Sequence, residues 1–292
     1  MAKDLSKYSD KITRAALAAS EELVTAGPAK KNKALRKTAS LLWENRNKIK
    51  KANERDLAEA KKNGLSESMI DRLRADEKVI KKMMKGLREV AAQKDPVGEK
   101  FDSRKRPNGL RIEKMRVPIG VIFIIFESRP NVTIDSAALC LISGNATILR
   151  GGKEAINTNL ALASVFSEGL KSCGLSPDCV QIVNTPDRAV VPMLLGRAGE
   201  IDLVIPRGGE KLIEAVVRDS KIPVLKHYKG VCHLYLAEDC NKKMGINMAV
   251  NAKTQRPGVC NALETLLLDE KLSAAYVQKV ISVLKENGVT VY

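Results

Sequence analysis

The run Val121-Ile122-Phe123-Ile124-Ile125-Phe126 is unbroken by any polar residue and follows directly on the breaker Pro118-Ile119-Gly120. A strand with one wet face alternates apolar and polar side chains. One that is apolar on both faces has to be covered on both. The run is far short of the roughly 20 apolar residues a membrane helix needs, so it predicts the central strand of a sheet with helices on either side. The segments after it keep that rhythm: helix Ile134–Ser143, strand Ala146–Arg150, helix Asn157–Ser172, strand Val180–Val183, helix Ala189–Leu195, strand Leu203–Ile205, helix Gly209–Arg218 and strand Pro223–His227. Alternation of this kind specifies an α/β fold with a doubly wound, Rossmann-type parallel sheet.

The first hundred residues predict helices. Ala15–Ala18 with Leu23-Val24 forms an apolar stripe that Gly27-Pro28 ends. Asn32–Lys51 carries Leu35, Ala39, Leu42 and Trp43 at helical spacing, and Ala52–Lys62 continues as a third helix. Ser66 precedes another start, and Asp76 opens a long helix through Val90. Leu110–Arg116 alternates and reads as a half-exposed strand. Past Val231, strand Leu234–Leu236, helix Lys243–Thr254, strand Leu263–Leu268 and helix Ser273–Asn287 form a second α/β unit.

The formal net charge of +16 suggests nucleic acid until its distribution is read. Residues 1–117 hold 31 Lys and Arg against 17 Asp and Glu, while residues 118–292 are nearly balanced, at 19 against 17. In the basic part the signs interleave, as in Lys51-Ala52-Asn53-Glu54-Arg55-Asp56, which reads as a solvated helix face. With aromatics at 3%, there is little for bases to stack on. The charge therefore predicts mild attraction for anionic small molecules rather than nucleic-acid binding.

The cysteines Cys140, Cys173, Cys179, Cys232, Cys240 and Cys260 show no C-x-x-C spacing, so no zinc or redox motif is predicted and no metal is expected. Reduced thiols and an N-terminus without an apolar signal core predict a cytoplasmic protein. Cys260 stands apart, in Asn251-Ala252-Lys253-Thr254-Gln255-Arg256-Pro257-Gly258-Val259-Cys260-Asn261-Ala262-Leu263-Glu264-Thr265. A Pro-Gly turn can hold a following side chain and backbone N–H toward one bound carbonyl, and the nearby Lys253 and Arg256 favour the thiolate. Most cysteines merely pack; this one sits among the parts needed for acyl transfer through a thioester. Two glycine turns follow strands, Arg150-Gly151-Gly152-Lys153 and Pro206-Arg207-Gly208-Gly209-Glu210-Lys211, where backbone N–H groups at a helix start can meet phosphate.

The segment Asn251–Thr265 resembles the active-site segment of the gamma-glutamyl phosphate reductase family, a branch of the aldehyde dehydrogenase superfamily. Phe126-Glu127-Ser128-Arg129-Pro130-Asn131 and Lys226-His227-Tyr228-Lys229-Gly230 extend the resemblance. It implies an aldehyde-dehydrogenase-like fold and NADPH-dependent reduction of L-glutamyl 5-phosphate to L-glutamate 5-semialdehyde, a step of proline biosynthesis. Cys260 would be the nucleophile. Ser128 or Asn131 would serve the oxyanion, although the loop departs from the asparagine pattern of related dehydrogenases. Arg129 would clamp a substrate anion, with Glu127 as its partner. By the same resemblance Arg150, Gly151 and Lys153 hold the adenine ribose, and an arginine there suits the 2′-phosphate of NADPH over NADH. Arg207, Gly208 and Gly209 would approach the nicotinamide half, and Lys253 and Arg256 the substrate phosphate or carboxylate.

Hydrolytic relatives place a water-activating glutamate about one structural unit before the cysteine. Here the residue 33 positions upstream is His227, consistent with a thioester that is reduced rather than hydrolysed. His227 is a candidate acid to the aldehyde oxygen or a substrate contact. The expected division is 1–230 for the helices and cofactor domain, with an oligomerisation strand near 108–117, and 231–292 for a partial catalytic domain. Chains of the family are longer, so a C-terminally truncated chain is expected, leaving the hairpin that holds the 108–117 strand with an open edge. A homo-oligomer and glutamate 5-kinase are the partners the resemblance implies. Another acylating dehydrogenase, or an inactive product that only binds cofactor, are the alternatives.

Overall fold

The computed structural model describes residues 2–226, 230–257 and 259–292. The chain divides into two compact units between Lys226 and His227.

In the first unit, helices α1 (Ala2–Val24), α2 (Pro28–Glu44), α3 (Arg46–Lys62), α4 (Glu67–Leu73) and α5 (Glu77–Val90) come first. On α1 the buried residues Ile12, Ala16, Ala19 and Leu23 recur at three and four positions, the stripe a helix must hide. α5 starts where Asp76 accepts a hydrogen bond from Val79 N at 2.8 Å. The predicted helix Asn32–Lys51 is broken at Asn45, whose side-chain amide donates to Leu41 O at 3.0 Å. An Asn amide competing for backbone carbonyls favours a helix end, and composition alone does not show where that happens.

Strands β1 (Lys100–Lys105) and β2 (Arg111–Met115) form an antiparallel hairpin with a bulge between Phe101 and Arg104. In this two-stranded sheet the hairpin partner of the 108–117 strand is β1. It was hidden because Lys100–Lys105 is almost wholly polar and exposed, so it lacks the apolar pattern by which a strand is recognised. The bulge carries Asp102 at φ 52°, with its carboxylate bonded to Arg104 at 2.8 Å and Lys114 at 2.9 Å. These two cations hold the Asp102 carboxyl below the usual carboxylate range.

The parallel sheet has the order β5-β4-β3-β6, from β3 (Val121–Phe126), β4 (Ala146–Arg150), β5 (Val180–Ile182) and β6 (Leu203–Arg207). Every residue of β3 is buried, as its sequence requires. Helices α6 (Asn131–Ile142), α7 (Ile156–Lys171), α8 (Val190–Leu195) and α9 (Glu210–Asp219) connect the strands. Register is fixed where the chain enters β3. Asn145 Oδ1 accepts from Ile119 N at 2.6 Å and Gly120 N at 2.9 Å, and Asp202 accepts from Val121 N at 2.8 Å. The strand order reverses between β3 and β6, which is where open sheets of this kind open a crevice. In place of the predicted strand Pro223–His227 there is a single bridge, Val204 to Val224, and His227 lies outside the described residues.

The second unit is a β7 (His233–Leu236), α10 (Lys242–Thr254), β8 (Thr265–Leu268), α11 (Ala274–Glu286) arrangement with β7 and β8 parallel. Asn241 caps α10 through Met244 N at 3.0 Å. Leu236, Ala249, Tyr276, Val280 and Leu284 fill its core.

The solvated reading of Lys51–Asp56 is also corrected. Asn53 and Asp56 are 4% and 3% exposed. With Ile49 and Ala60 they form the inward face of α3. Asp56 accepts from Asn157 N (3.2 Å) and Asn157 Nδ2 (2.8 Å) through one oxygen. Its other oxygen accepts from Thr158 N (2.8 Å) and Thr158 Oγ1 (2.6 Å). A carboxylate at a helix N-terminus is favoured by the macrodipole and satisfies N–H groups the helix leaves open. Asp56→Ala would leave buried donors without acceptors and is expected to cost about 3 kcal/mol of unfolding free energy. Urea denaturation reads this directly; an unchanged midpoint would show the clamp to be dispensable.

Candidate functional site

Each unit holds one candidate cluster. In the first unit the carboxyl ends of β3, β4 and β6 gather most of the residues singled out from sequence. Arg150 closes β4, with Nη1 donating to Gly151 O at 2.8 Å and Nη2 to Pro186 O at 3.3 Å. Its Nε is buried without a partner among the described residues. Burial and the charge of Arg188 lower the pKa of the Arg150 guanidinium from its ordinary value, with Glu154 opposing. A cation kept near another cation, with a buried donor to spare, gains when an anion arrives. Gly151, Gly152 and Lys153 on one side and Ile182, Thr185 and Pro186 on the other line a narrow crevice beside it. Lys153 is exposed at its mouth.

A carboxylate stands near the helix that follows each glycine turn; between the first of these turns and α7 lies one 3-10 turn, Lys153–Ala155. The first turn of α7 is already occupied by the carboxylate of Asp56. At α9, Glu127 Oε1 accepts from Gly209 N at 2.7 Å, so Glu127 caps this helix. The expected role of Glu127 as a partner for Arg129 is replaced by that cap; Arg129 instead donates its backbone N–H to Glu127 O at 2.7 Å. Protein packing explains the glycines. A Cβ at Gly152 would sit 2.6 Å from Ser128 Oγ and Glu154 Oε2, and one at Gly208 would sit 2.7 Å from Glu127 Oε1.

Ser128 donates to Glu154 Oε2 at 2.9 Å and Asn131 donates to Asp135 Oδ2 at 2.9 Å. Both candidate oxyanion donors are thus engaged inside the first unit. Arg129 is half-buried, and Arg207 is exposed at the end of β6, where its carbonyl accepts from Glu127 N at 3.2 Å.

The second cluster is the loop between α10 and β8. Two bonds close its base: Leu263 N donates to Ala252 O at 3.0 Å, and Lys253 Nζ donates to Leu263 O at 2.9 Å. Lys253, expected near substrate, here fastens the loop through its ammonium group. Within the loop, Val259 N bonds Arg256 O at 3.4 Å and Ala262 N bonds Val259 O at 3.2 Å; Gly258 lies outside the described residues. Arg256 is exposed. Cys260 is the exposed member of the six cysteines, whereas Cys140 and Cys179 are buried. Burial pushes the thiols of Cys140 and Cys179 up to about 12. Cys232, which with His233 reads from sequence as a structural pair, donates from Sγ to Cys260 O at 3.5 Å. Lone spacing gave no signal for this contact, because it spans the whole of α10. His227 and Lys229 lie outside the described residues. Among the described residues, no cluster of His, Cys, Asp and Glu could hold a metal ion, and no helix is long and apolar enough to cross a membrane.

The sequence profile of the aldehyde dehydrogenase family matches residues 2–290. The gamma-glutamyl phosphate reductase of Desulfatibacillum aliphaticivorans is 51% identical over 278 residues, covering 95% of this chain and 66% of that protein. A crystal structure of gamma-glutamyl phosphate reductase from Thermotoga maritima superposes with a TM-score of 0.90 at 40% identity, over 96% of this chain and 68% of its own. The corresponding structure from Saccharomyces cerevisiae gives 0.70 at 36% identity, over 97% and 70%. The chain spans 66% of the length of the first curated relatives it matches. An acetylating aldehyde dehydrogenase from Geobacillus thermoglucosidasius, at 16% identity and a TM-score of 0.68 over 97% of this chain and 59% of its own, shares the fold.

The thiols separate by accessibility. Iodoacetamide at pH 8 is expected to label Cys260 first and to leave Cys140 and Cys179 unmodified until denaturant is added, since a thiol pushed up to about 12 holds almost no thiolate there. Peptide mass mapping of a time course gives the order; early labelling of Cys140 or Cys179 would contradict it.

Proposed function

The chain belongs to the aldehyde dehydrogenase family, and from that premise we propose that it reduces L-glutamyl 5-phosphate to L-glutamate 5-semialdehyde and phosphate. The observation that carries this reading is Cys260, exposed on a loop whose base is fastened at Leu263, in a chain about half identical to gamma-glutamyl phosphate reductases. Its thiolate attacks the acyl carbon, the acyl–phosphate bond breaks, and phosphate leaves with the electron pair. The product of this half-reaction is a thioester on Cys260. An acyl phosphate is already activated, so the step needs no separate acid on the leaving group. The backbone N–H of Cys260, with Ser128 or Asn131, is the proposed oxyanion donor; Ser128 would first release Glu154, whereas the Asn131 amide keeps a second N–H besides the one on Asp135.

NADPH is the proposed cofactor, and when bound it supplies the hydride that converts the thioester to the aldehyde. Arg150 is suited to hold its 2′-phosphate, since the buried Nε is available and Arg188 adds positive field. Gly151 and Lys153 line the same crevice, while Arg207, Gly208 and Gly209 are proposed for the nicotinamide side. Arg256 is the proposed contact for substrate phosphate or carboxylate, because it is exposed on the cysteine loop. Lys253 is proposed beside it, since its ammonium fastens the loop through one bond to Leu263 O and has further donors for a substrate anion. His227 is proposed as an acid to the aldehyde oxygen or as a substrate contact; a carboxylate there would activate water and waste the thioester. We further propose units 1–230 and 231–292 as cofactor-binding and catalytic domains. The hairpin β1–β2 is the proposed oligomerisation element, glutamate 5-kinase the source of the labile substrate and the cytoplasm the place of action.

The reverse direction gives the test. Pyrroline-5-carboxylate, phosphate and NADP⁺ should yield NADPH absorbance that requires phosphate and disappears in Cys260→Ala. Phosphate-independent turnover, or full activity in the variant, would rule the reading out. Cofactor choice is tested separately. Arg150→Gln removes a charge-assisted phosphate contact worth about 1.5–3 kcal/mol, so the Kd for NADPH should rise about tenfold or more while that for NADH stays put. Equal weakening of both would make Arg150 a structural residue.

A further inference from the structure

Cys232 lies at the start of β7 and is held against the cysteine loop by three contacts. Its carbonyl accepts from Glu264 N at 3.0 Å and Thr265 N at 3.1 Å, and its Sγ donates to the carbonyl of Cys260 at 3.5 Å. The Cys232 thiol therefore lies against the backbone of Cys260, whose own sulfur is four bonds from that carbonyl oxygen. Cys232 is anchored by its backbone to β8, whereas Cys260 sits in irregular chain and is exposed. One partner is therefore fixed and the other has torsional freedom to meet it, as the narrow geometry of a disulfide demands. In the same unit, Cys240 lies beyond the far end of β7, and among the described residues it shows no comparable contact with the loop.

We propose that Cys232 is a resolving thiol for Cys260, making the pair a reversible oxidation site that takes a hydroperoxide as its oxidant. The proposal rests on the reading of Cys260 as the reactive thiolate. The thiolate attacks one peroxide oxygen, the O–O bond breaks, and hydroxide or alkoxide departs. Cys260 becomes a sulfenic acid, oxidised by two electrons while the peroxide is reduced by two. Cys232 then attacks that sulfur, the S–O bond breaks, and the hydroxyl leaves as water with the proton of the Cys232 thiol. The resulting disulfide hides the nucleophile and stops oxidation short of the sulfinic acid, which a thiol reductant cannot reverse. A dithiol restores both cysteines by exchange.

The experiment uses the whole chain, first fully reduced. Iodoacetamide labelling of the untreated protein establishes whether Cys260 outpaces the other cysteines. Hydrogen peroxide is then added, free thiols are blocked, and peptides are mapped before and after dithiothreitol. A Cys232–Cys260 linked peptide is expected, with Cys260 labelling lost on oxidation and regained on reduction. In Cys232→Ser the loss should persist after reduction, with sulfinic acid found on Cys260. Thermal melting of the reduced variant, expected to match the parent, shows that it is folded. Sulfinic acid on Cys260 in the parent, a link to a different cysteine, or full recovery in Cys232→Ser would overturn the proposal while leaving the nucleophile reading intact. A Cys260 no faster than its neighbours before peroxide would remove both.

Discussion

The first unit depends on a carboxylate that looks like a surface residue. Asp56 projects from α3 onto the first turn of α7 and accepts four hydrogen bonds there. Asn53, one turn earlier, donates to Leu73 O at 2.7 Å and to Thr158 Oγ1 at 3.1 Å, and its own oxygen accepts from Ala75 N at 2.9 Å. Together they join the helical segment to the helix that follows the Arg150 turn. A charge this deeply buried is tolerable because every lone pair meets a donor and the helix dipole has the right sign. A second buried pair, Lys31 with Asp95 at 2.6 Å, adds a bond from Lys31 Nζ to Ile142 O at 3.0 Å, and so ties α2 to the end of α6. The helices before β1 are thus bolted to the sheet by specific polar contacts as well as by apolar packing.

That arrangement changes how the glycine turns are understood. In a dinucleotide fold with a glycine fingerprint, the helix start is left open to pyrophosphate. Here Asp56 bonds the first turn of α7, one 3-10 turn beyond the Arg150 turn, and Glu127 accepts from Gly209 N at the start of α9, so negative charge stands near both. On the proposed reading, a phosphate would meet the cations Arg150, Arg188 and Lys153 rather than an uncapped helix start.

The fold was legible wherever burial leaves a periodic mark. The all-apolar β3, the apolar stripe of α1 and the capped start of α5 at Asp76 each carry a local signal strong enough to place the element. The break at Asn45 and the strand β1 were not legible. The first turns on an amide choosing between backbone partners, and the second on a polar exposed strand paired through its backbone. At the site, Cys260 was legible because a thiol, cations and a Pro-Gly turn coincide in sequence. The tasks of Lys253 and Glu127 were not, since each bonds a backbone group brought near only by folding.

The linear order of residues is enough to give the βαβ alternation, the parallel sheet, the absence of a dinucleotide fingerprint and the position of the nucleophile candidate. All of these are written in the order of apolar runs, turns and side-chain types along the chain. Folding was needed to show that Asp56 and Asn53 face inward, that Glu127 caps α9, that Lys253 closes the base of the cysteine loop and that Cys232 touches the Cys260 carbonyl. These are contacts of polar groups across long stretches of chain. A hydrogen bond is fixed by distance and direction in space, and neither is encoded in the spacing of residues along a sequence.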